Sequence, residues 1–565
     1  MKRAGPLAVL LVLAGALAGA TRLRSYDLFW HLATGKHILE SGAVPRGDPF
    51  SFTAAGTPWV DHSWLFQVVL WGAWDLAGAW GPWILKLGCA AALAALLVRH
   101  LLCWRVPPAA TAVVVLVALQ GMHFRLMFRP ELATLLLAAL AAHLLCPVPG
   151  RRARWAPLWL VPLTVLWINT HGGGIVAPLL LAACLAGALA GRWLDPGRPA
   201  LPGSWWLALA GSVLALGVNP YGAEVLAVPF RLNAIVGQPW ADNPEWAWPP
   251  DPRVFPLLYL ACAALVILAV RRLGRLEPSS LALGTLGFGM AFFSVRNVGL
   301  FFVLMPFAAA PLLAGARTWG KVRPAMVHGL VLAGMAWLAW APAWLALAPR
   351  GGMLGAGLEP GRYPVHAVEF LEREAVPSRL FNEVAFGGYL IWHFPERPVF
   401  IDGRNEIYAE LLQQIHAGMG NVQSFWELTR RWQLDAALLR YPAQGMVVGY
   451  PQPGGGRRDV VRSWSEVFFP RREWALVYWD DTAMVRVRRD AVEASWLDRN
   501  EFRHLNPDDW AFLRDEMQAG RVAPADLLRD LERTLSRHPG CHRALRLQDE
   551  IRALMEKPWV GSHAG

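Results

Sequence analysis

The amino-acid sequence predicts a polytopic α-helical membrane protein with a C-terminal α/β domain outside the bilayer. Three observations predict it. Apolar stretches recur through the first 350 residues, separated by short Arg- or Pro-rich breaks. Hydrophobic residues make up 55% of the 565 residues, charged residues only 17%, and mean hydropathy is positive, unlike that of ordinary water-soluble domains. After Arg350, charged residues, Gly and Pro are frequent, and no apolar run reaches the roughly 20 residues that a hydrocarbon core of about 30 Å requires.

The candidate spans cover residues 5–21, 82–102, 108–122, 130–147, 155–169, 174–190, 204–218, 254–270, 279–294, 298–315 and 325–348, eleven in all. Lys2 and Arg3 precede an apolar run that is read as an uncleaved first helix, with a cleaved signal peptide as the alternative. With a cytoplasmic N-terminus, the inner breaks hold Arg99 and Arg105; Arg151, Arg152 and Arg154; Arg192 and Arg198; Arg271, Arg272 and Arg275; and Arg317, Lys321 and Arg323. Every inner break is then positive, as expected of a multi-pass protein of a bacterial inner membrane. The same placement accounts for the net charge of +11 and argues against nucleic acid as a partner. Five of the six Cys lie in apolar segments, leaving Cys541, so no disulfide framework is implied. Residues 63–80 are read as a helix lying on the membrane, because Asp75 would be costly in the hydrocarbon core and an extra span would invert every later loop.

This topology leaves residues 27–62, 123–131, 169–174, 219–252 and 296–297 on the outer side, and these are the segments rich in His, Asn, Asp, Glu and Arg. Their convergence predicts a shared site; ordinary interfacial capping by Asn, Gly and Trp is the alternative. In Ser25-Tyr26-Asp27-Leu28-Phe29-Trp30-His31, helical spacing places Asp27 and His31 on one face. An acid/base couple, part of a metal site, and a helix cap by Asp27 all fit. Asp48-Pro49-Phe50-Ser51 brings a second carboxylate, suited to chemistry or to an Asx turn. Trp59-Val60-Asp61-His62-Ser63-Trp64 leads into the surface helix.

One helix, an outer loop opening on a carboxylate, a second carboxylate, a membrane-lying helix and then many spans: this order resembles the GT-C superfamily of integral-membrane glycosyltransferases. Oligosaccharyltransferases, protein mannosyltransferases and lipid A aminoarabinose transferases belong to it. The resemblance covers roughly residues 1–350 and is most specific between Asp27 and Leu65. It implies a polyprenyl-phosphate-sugar donor, a glycan, lipid or protein acceptor, and membrane lipid as partner. Asp27 matches the first-loop catalytic carboxylate and Asp48 the later acidic position. His62-Ser63-Trp64-Leu65 stands where many relatives have His-Pro-Pro-Leu, and Leu28 follows Asp27 where many have Asp-Glu.

Sugar transfer needs a base for the acceptor and positive charge for the departing phosphate. Asp27 or Asp48 suits the first role. Arg125, Arg129 and Arg296, at outer helix ends, suit the second, with pairing to Glu131, Glu224 or a lipid headgroup as the alternative. His31, His62, Asn169, His171, Glu245 and Asn297 complete the substrate-binding set. For His171, in the glycine-rich Asn169-Thr170-His171-Gly172-Gly173-Gly174 turn, packing is the competing role. No cofactor is expected; were a divalent ion used, Asp27, His31 and Asp48 would be its donors.

Domain boundaries are placed at 1–349 for the membrane domain, whose first outer loop is 22–81, at 350–490 for an extracytoplasmic α/β domain, and at 491–565 for a helical tail with tetratricopeptide-like helices near 509–518, 524–537 and 541–556. In the α/β domain, a helix is predicted near 365–373 and strands near 379–382, 399–402, 436–439 and 474–487. Phe381-Asn382-Glu383, Gly387-Gly388-Tyr389-Leu390 and Phe400-Ile401-Asp402-Gly403-Arg404 form its densest polar and glycine cluster. The cluster is similar in arrangement to the Trp-Trp-Asp-Tyr-Gly segment of oligosaccharyltransferases, which implies acceptor binding by Tyr389, Asp402 and Arg404; a structural turn set is the alternative. Two other functions compete with glycosyl transfer. A lipid-linked-glycan transporter would place ionisable groups near the midplane of broken helices, and a scaffold or sensor would tolerate loss of the first-loop carboxylates.

Overall fold

Helix starts follow the prolines. In the computed structural model Pro108, Pro130, Pro256, Pro278 and Pro324 each open a helix, where the missing N–H costs no hydrogen bond. The structure describes residues 5–146, 155–238, 244–248, 250–316, 319, 322–344, 354–451 and 456–556. Arg151, Arg152, Arg154, Asn243, Arg317, Lys321 and residues 345–349 thus lie outside the described part.

The chain divides into two compact units, one of Met1–Gly47 with Pro58–Glu359, the other of Asp48–Thr57 with Pro360–Gly565. In the first unit, α1 (Gly5–Gly19) is followed by α2 (Leu28–Ser41), α3 (Trp64–Ala77), α4 (Trp80–Cys103), α5 (Pro108–Met122), α6 (Pro130–Leu145), α7 (Leu160–Thr170) and α8 (Val176–Leu194). Then come α9 (Gly203–Ala215), α10 (Val228–Val236), α11 (Pro256–Arg271), α12 (Pro278–Phe293), α13 (Val298–Leu313) and α14 (Pro324–Trp344).

Four helical stretches, Trp80–Cys103, Pro108–Arg125, Gly172–Leu194 and Val295–Leu313, are long and apolar enough to cross a membrane, and apolar helices of 10–17 residues stand at the other expected positions. Every residue of α13 is buried, so this helix, apolar all round, is the centre of the bundle. Outward-facing Leu207, Leu214, Leu260, Val266 and Phe293 are more than half exposed, an arrangement that only a lipid surround makes inexpensive. Helix α3 has 14 residues. It packs closely on α2 because Gly35 has no side chain: a Cβ there would lie 2.1 Å from the Gln67 carbonyl oxygen.

The second unit has a four-stranded sheet in the order β1-β2-β6-β5, formed by β1 (Leu380–Asn382), β2 (Ala436–Arg440), β5 (Trp474–Trp479) and β6 (Ala483–Arg488). β1 and β2 are parallel; β2–β6 and β5–β6 are antiparallel. A separate hairpin joins β3 (Gly445–Pro451) and β4 (Arg457–Ser463), which the sequence reading misses because its Gly, Arg and Asp residues obscure the strand alternation. The expected strand at 399–402 is instead an extended segment outside the sheet. The Asn382 side chain takes the place of a neighbouring strand, accepting from the Phe400 N–H at 3.0 Å and donating to the Ile401 carbonyl at 2.6 Å. Helices Trp510–Gln518, Pro524–Arg537 and His542–Glu556 share one core with Leu476, Trp479 and Met484 of the sheet. The residues read from sequence as a tail are part of this unit's core.

Candidate active site

Helix ends of the first unit bring several of its charged side chains together. Arg125 ends the turn after α5, Arg129 and Glu131 flank the proline that starts α6, Arg296 lies in the turn before α13, and Glu245 sits on the short turn Pro244–Trp246. They form one continuous chain. Asp27 Oδ2 meets Arg129 Nη2 at 3.1 Å, and Arg129 Nη1 meets Glu245 Oε1 at 3.2 Å. Glu245 Oε2 meets Arg125 Nη1 at 3.0 Å; Arg125 also pairs with Glu131, and Glu131 Oε1 meets Arg296 Nη2 at 2.6 Å. Burial alone would raise the Glu245 carboxyl, but Arg125 and Arg129 outweigh it and hold the group below its ordinary range.

Asp27 stands where α1 gives way to α2. Its backbone N–H donates to Ser25 Oγ, which also receives Arg129 Nε at 2.9 Å. The Trp30 indole donates to Asp27 Oδ1 at 3.2 Å. A carboxylate has about four acceptor positions, so these contacts leave Asp27, about a quarter exposed, able to accept a further proton donor.

His31 turns away from the acid/base couple that spacing suggests and toward α3. Gln67 Nε2 donates to His31 Nδ1 at 3.2 Å and to Asp61 Oδ1 at 2.7 Å. Burial first, then His62 and Arg129, keeps the His31 imidazole well below its ordinary pKa. His62 packs 5.9 Å from His171, ring centre to ring centre. Its Nδ1 is buried without a hydrogen-bond partner among the described residues. Burial, with Arg296 next, lowers His62 to about 4. His171 Nδ1 accepts from the Gly173 N–H at 3.1 Å and from Thr134 Oγ1 at 2.8 Å, while the Trp167 indole donates to the same hydroxyl at 2.8 Å. The neutral ring therefore carries its proton on Nε2.

Asn169 is committed to bracing: it accepts from the Trp64 indole and donates to the Val165 and Val218 carbonyls. It also lines a shallow, open depression with Trp64, Leu65, Pro162, Val165 and Leu166. Asn297 immediately precedes α13.

In the second unit, Asp48 is fully buried with Arg404, 2.7 Å from its Nη1. The Phe50 and Ser51 N–H groups and the Ser51 hydroxyl occupy the other acceptor positions of Asp48. Arg404 also grips Asp402 through Nε at 2.8 Å and Nη2 at 2.5 Å, and Tyr408 donates to Asp402 at 2.7 Å. Gly387 permits this cluster: a Cβ there would lie 2.0 Å from the Ile401 carbonyl oxygen. Tyr389 stacks on Tyr363, ring centres 5.7 Å apart.

Sequence reasoning names Asp27, Arg125, Arg129, Glu245 and Arg296, and the structure joins them. It weighs Glu131 only as a competing partner, although adjacency to Arg129-Pro130 was a usable signal. Ser25, Gln67 and Thr134 are ordinary-looking residues whose roles arise from contacts distant in sequence, to Arg129, His31 and His171, whereas Trp30 and Tyr408 act on carboxylates three and six residues away. Among the described residues, no group of three or more His, Cys, Asp or Glu side chains is arranged to hold a metal ion.

No family model matches the chain, and no curated protein sequence matches it. The apo crystal structure of the Archaeoglobus fulgidus oligosaccharyltransferase aligns with 98% of this chain over 86% of its own, with a TM-score of 0.50 and 10% identity. This chain has the oligosaccharyltransferase fold. Oligosaccharyltransferase AglB from Archaeoglobus fulgidus, in complex with an inhibitory peptide and a dolichol-phosphate, aligns equally, with a TM-score of 0.50, 11% identity and the same coverage. The GT-C resemblance drawn from the first loop is thus matched by oligosaccharyltransferase-fold neighbours that align along almost the whole chain.

Proposed function

We propose that the protein is a membrane glycosyltransferase that moves a sugar from a polyprenyl-phosphate donor to an acceptor at the outer face of a bacterial inner membrane. The observation that carries this reading is the ion chain from Asp27 through Arg129, Glu245, Arg125 and Glu131 to Arg296. It sets a carboxylate with spare acceptor capacity directly beside guanidinium groups that suit phosphate oxygens.

In the proposed reaction, the acceptor's nucleophilic atom bonds to the anomeric carbon as the bond from that carbon to the phosphate oxygen breaks. The electron pair leaves with the phosphate. Arg129 and Arg125, with Arg296 behind them, stabilise the charge that develops there. Asp27 accepts the acceptor's proton. Neutral His31, His62 and His171 wall the site without adding charge. The open depression beside Asn169, lined by Leu65, Val165 and Leu166, suits an apolar lipid tail lying along the surface. A lipid-linked phosphate and a peptide are bound by the neighbour AglB, so these two kinds of partner are the first to test. Asp48, Asp402 and Arg404 are assigned to holding the second unit together, because their paired side chains are fully buried.

Radiolabelled undecaprenyl-phosphate sugars, offered with peptide, glycan and lipid acceptors to the full chain in nanodiscs, test the proposal. Sugar transfer by wild type, with transfer lost in a folded Asp27→Asn variant, is expected. Full transfer by that variant would remove Asp27 from the reaction.

A further inference from the structure

Glu245 spans two arginines with its two oxygens, Oε2 to Arg125 Nη1 at 3.0 Å and Oε1 to Arg129 Nη1 at 3.2 Å. The two non-bridging oxygens of a phosphodiester would engage the same pair of guanidinium groups in this way. We propose that Glu245 is an internal stand-in for the donor's phosphate, and that a monoanionic phosphodiester, a monophosphate-linked sugar, displaces it one for one. This rests on the reading of Arg125 and Arg129 as the phosphate-binding groups.

Charge balance is the first support. Among the described residues, three carboxylates, Asp27, Glu131 and Glu245, face three guanidinium groups, Arg125, Arg129 and Arg296. Removal of the Glu245 carboxylate leaves one positive charge uncompensated in a partly buried site, which is costly. A phosphodiester with one negative charge restores neutrality; a diphosphate diester with two overshoots it by one.

The placement of the three acids is the second support. Glu131 is 16% exposed and clamped between Arg125 and Arg296, and Asp27 is 24% exposed and tied to the first loop. Glu245 is the most open, at 37%, on a three-residue turn. Its backbone stays anchored independently of the carboxylate: Ser294 Oγ donates to the Glu245 carbonyl at 2.9 Å, the Val295 N–H donates to the Ala247 carbonyl at 3.2 Å, and Arg296 lies over the Trp246 ring at 4.7 Å. Rotation of one side chain therefore opens the pair of arginines while the turn stays in place. The charge-neutral resting state also keeps adventitious anions from the site until a lipid-anchored phosphate arrives at high local concentration.

The test is binding of farnesyl phosphoryl glucose and farnesyl diphosphoryl glucose to the full chain in nanodiscs, for wild type, Glu245→Gln, Glu245→Ala and Arg129→Gln, each first shown to be folded by a cooperative melting transition. Both Glu245 variants are expected to bind the monophosphate about tenfold more tightly than wild type, wild type to prefer the monophosphate, and Arg129→Gln to lose binding. Equal or weaker binding by both Glu245 variants, with Arg129→Gln still impaired, would overturn the stand-in role and leave the phosphate site intact. A wild-type preference for the diphosphate would overturn the one-for-one displacement. Wild-type affinity in Arg129→Gln, or no binding of either probe by any variant, would overturn both the inference and the phosphate reading beneath it.

Discussion

Arg129 and Asp27 form a 3.1 Å ion pair in which each side chain remains about a quarter exposed. The same guanidinium reaches Ser25 through Nε and Glu245 through Nη1, so a single cation orients the proposed base and carries charge for the proposed leaving group.

Removing that cation is therefore expected to damage both functions. Arg129→Gln should lower sugar transfer by at least about 100-fold, the usual scale for losing a charge-stabilising donor. Arg129→Lys, which keeps the charge but not the planar fork, should fall between. Initial rates in nanodiscs at saturating donor check this, and a rate within twofold of wild type in Arg129→Gln would contradict it.

Truncating Arg404 should unfold the second unit before it alters any chemistry. Arg404→Ala leaves Asp48 and Asp402 buried beside each other without a counter-charge, a change that costs about 3–5 kcal/mol. Denaturant unfolding of the full chain, followed by tryptophan fluorescence, should show an early transition in the variant. Coincident curves for variant and wild type would refute the anchoring role.

Gly387→Ala should destabilise the same unit by about 1–3 kcal/mol, the usual cost of overpacking. Its Cβ would sit 2.0 Å from the Ile401 carbonyl oxygen. The melting temperature of the full chain checks this, with Gly420→Ala, where an added Cβ would meet nothing within 4 Å, as the comparison.

Acid should destabilise the first unit in part through His62. Its folded pKa is lowered to about 4 against an ordinary value near 6.5, so between these values the unfolded chain binds a proton that the folded chain does not. Stability attributable to His62 is then complete above about pH 6.5 and falls as pH drops toward 4, by at most about 1.4 kcal/mol per pH unit. Melting temperatures from pH 7 to 4.5 should fall less steeply in His62→Gln than in wild type. Parallel curves would show that His62 does not titrate in this range.

Much of the fold is legible in the chain because apolar run length is a property of contiguous residues. The stretches at 82–102 and 108–122 correspond closely to α4 and α5, and prolines mark the helix starts. The candidate site is legible in kind, since Arg and Glu at the ends of apolar helices must find partners. The pairing is not. Asp27 and Asp48 look alike in sequence, each a carboxylate in a polar stretch after the first helix. Yet residues 48–57 belong to the second unit while both flanks belong to the first, and Asp48 is consumed by Arg404. His31 likewise has the spacing to meet Asp27 but bonds to Gln67, because Gly35 lets α3 approach α2.

By itself, the sequence determined the membrane class, the positions of the apolar helices and the set of polar residues available at their ends. Tertiary structure alone decided which of those residues share charge. Arg129 and Glu245 are 116 residues apart, and Arg296 and Glu131 are 165 apart. Hydrophobic length acts along the chain, whereas an ion pair exists only where folding brings two side chains within a few ångströms and removes the water between them.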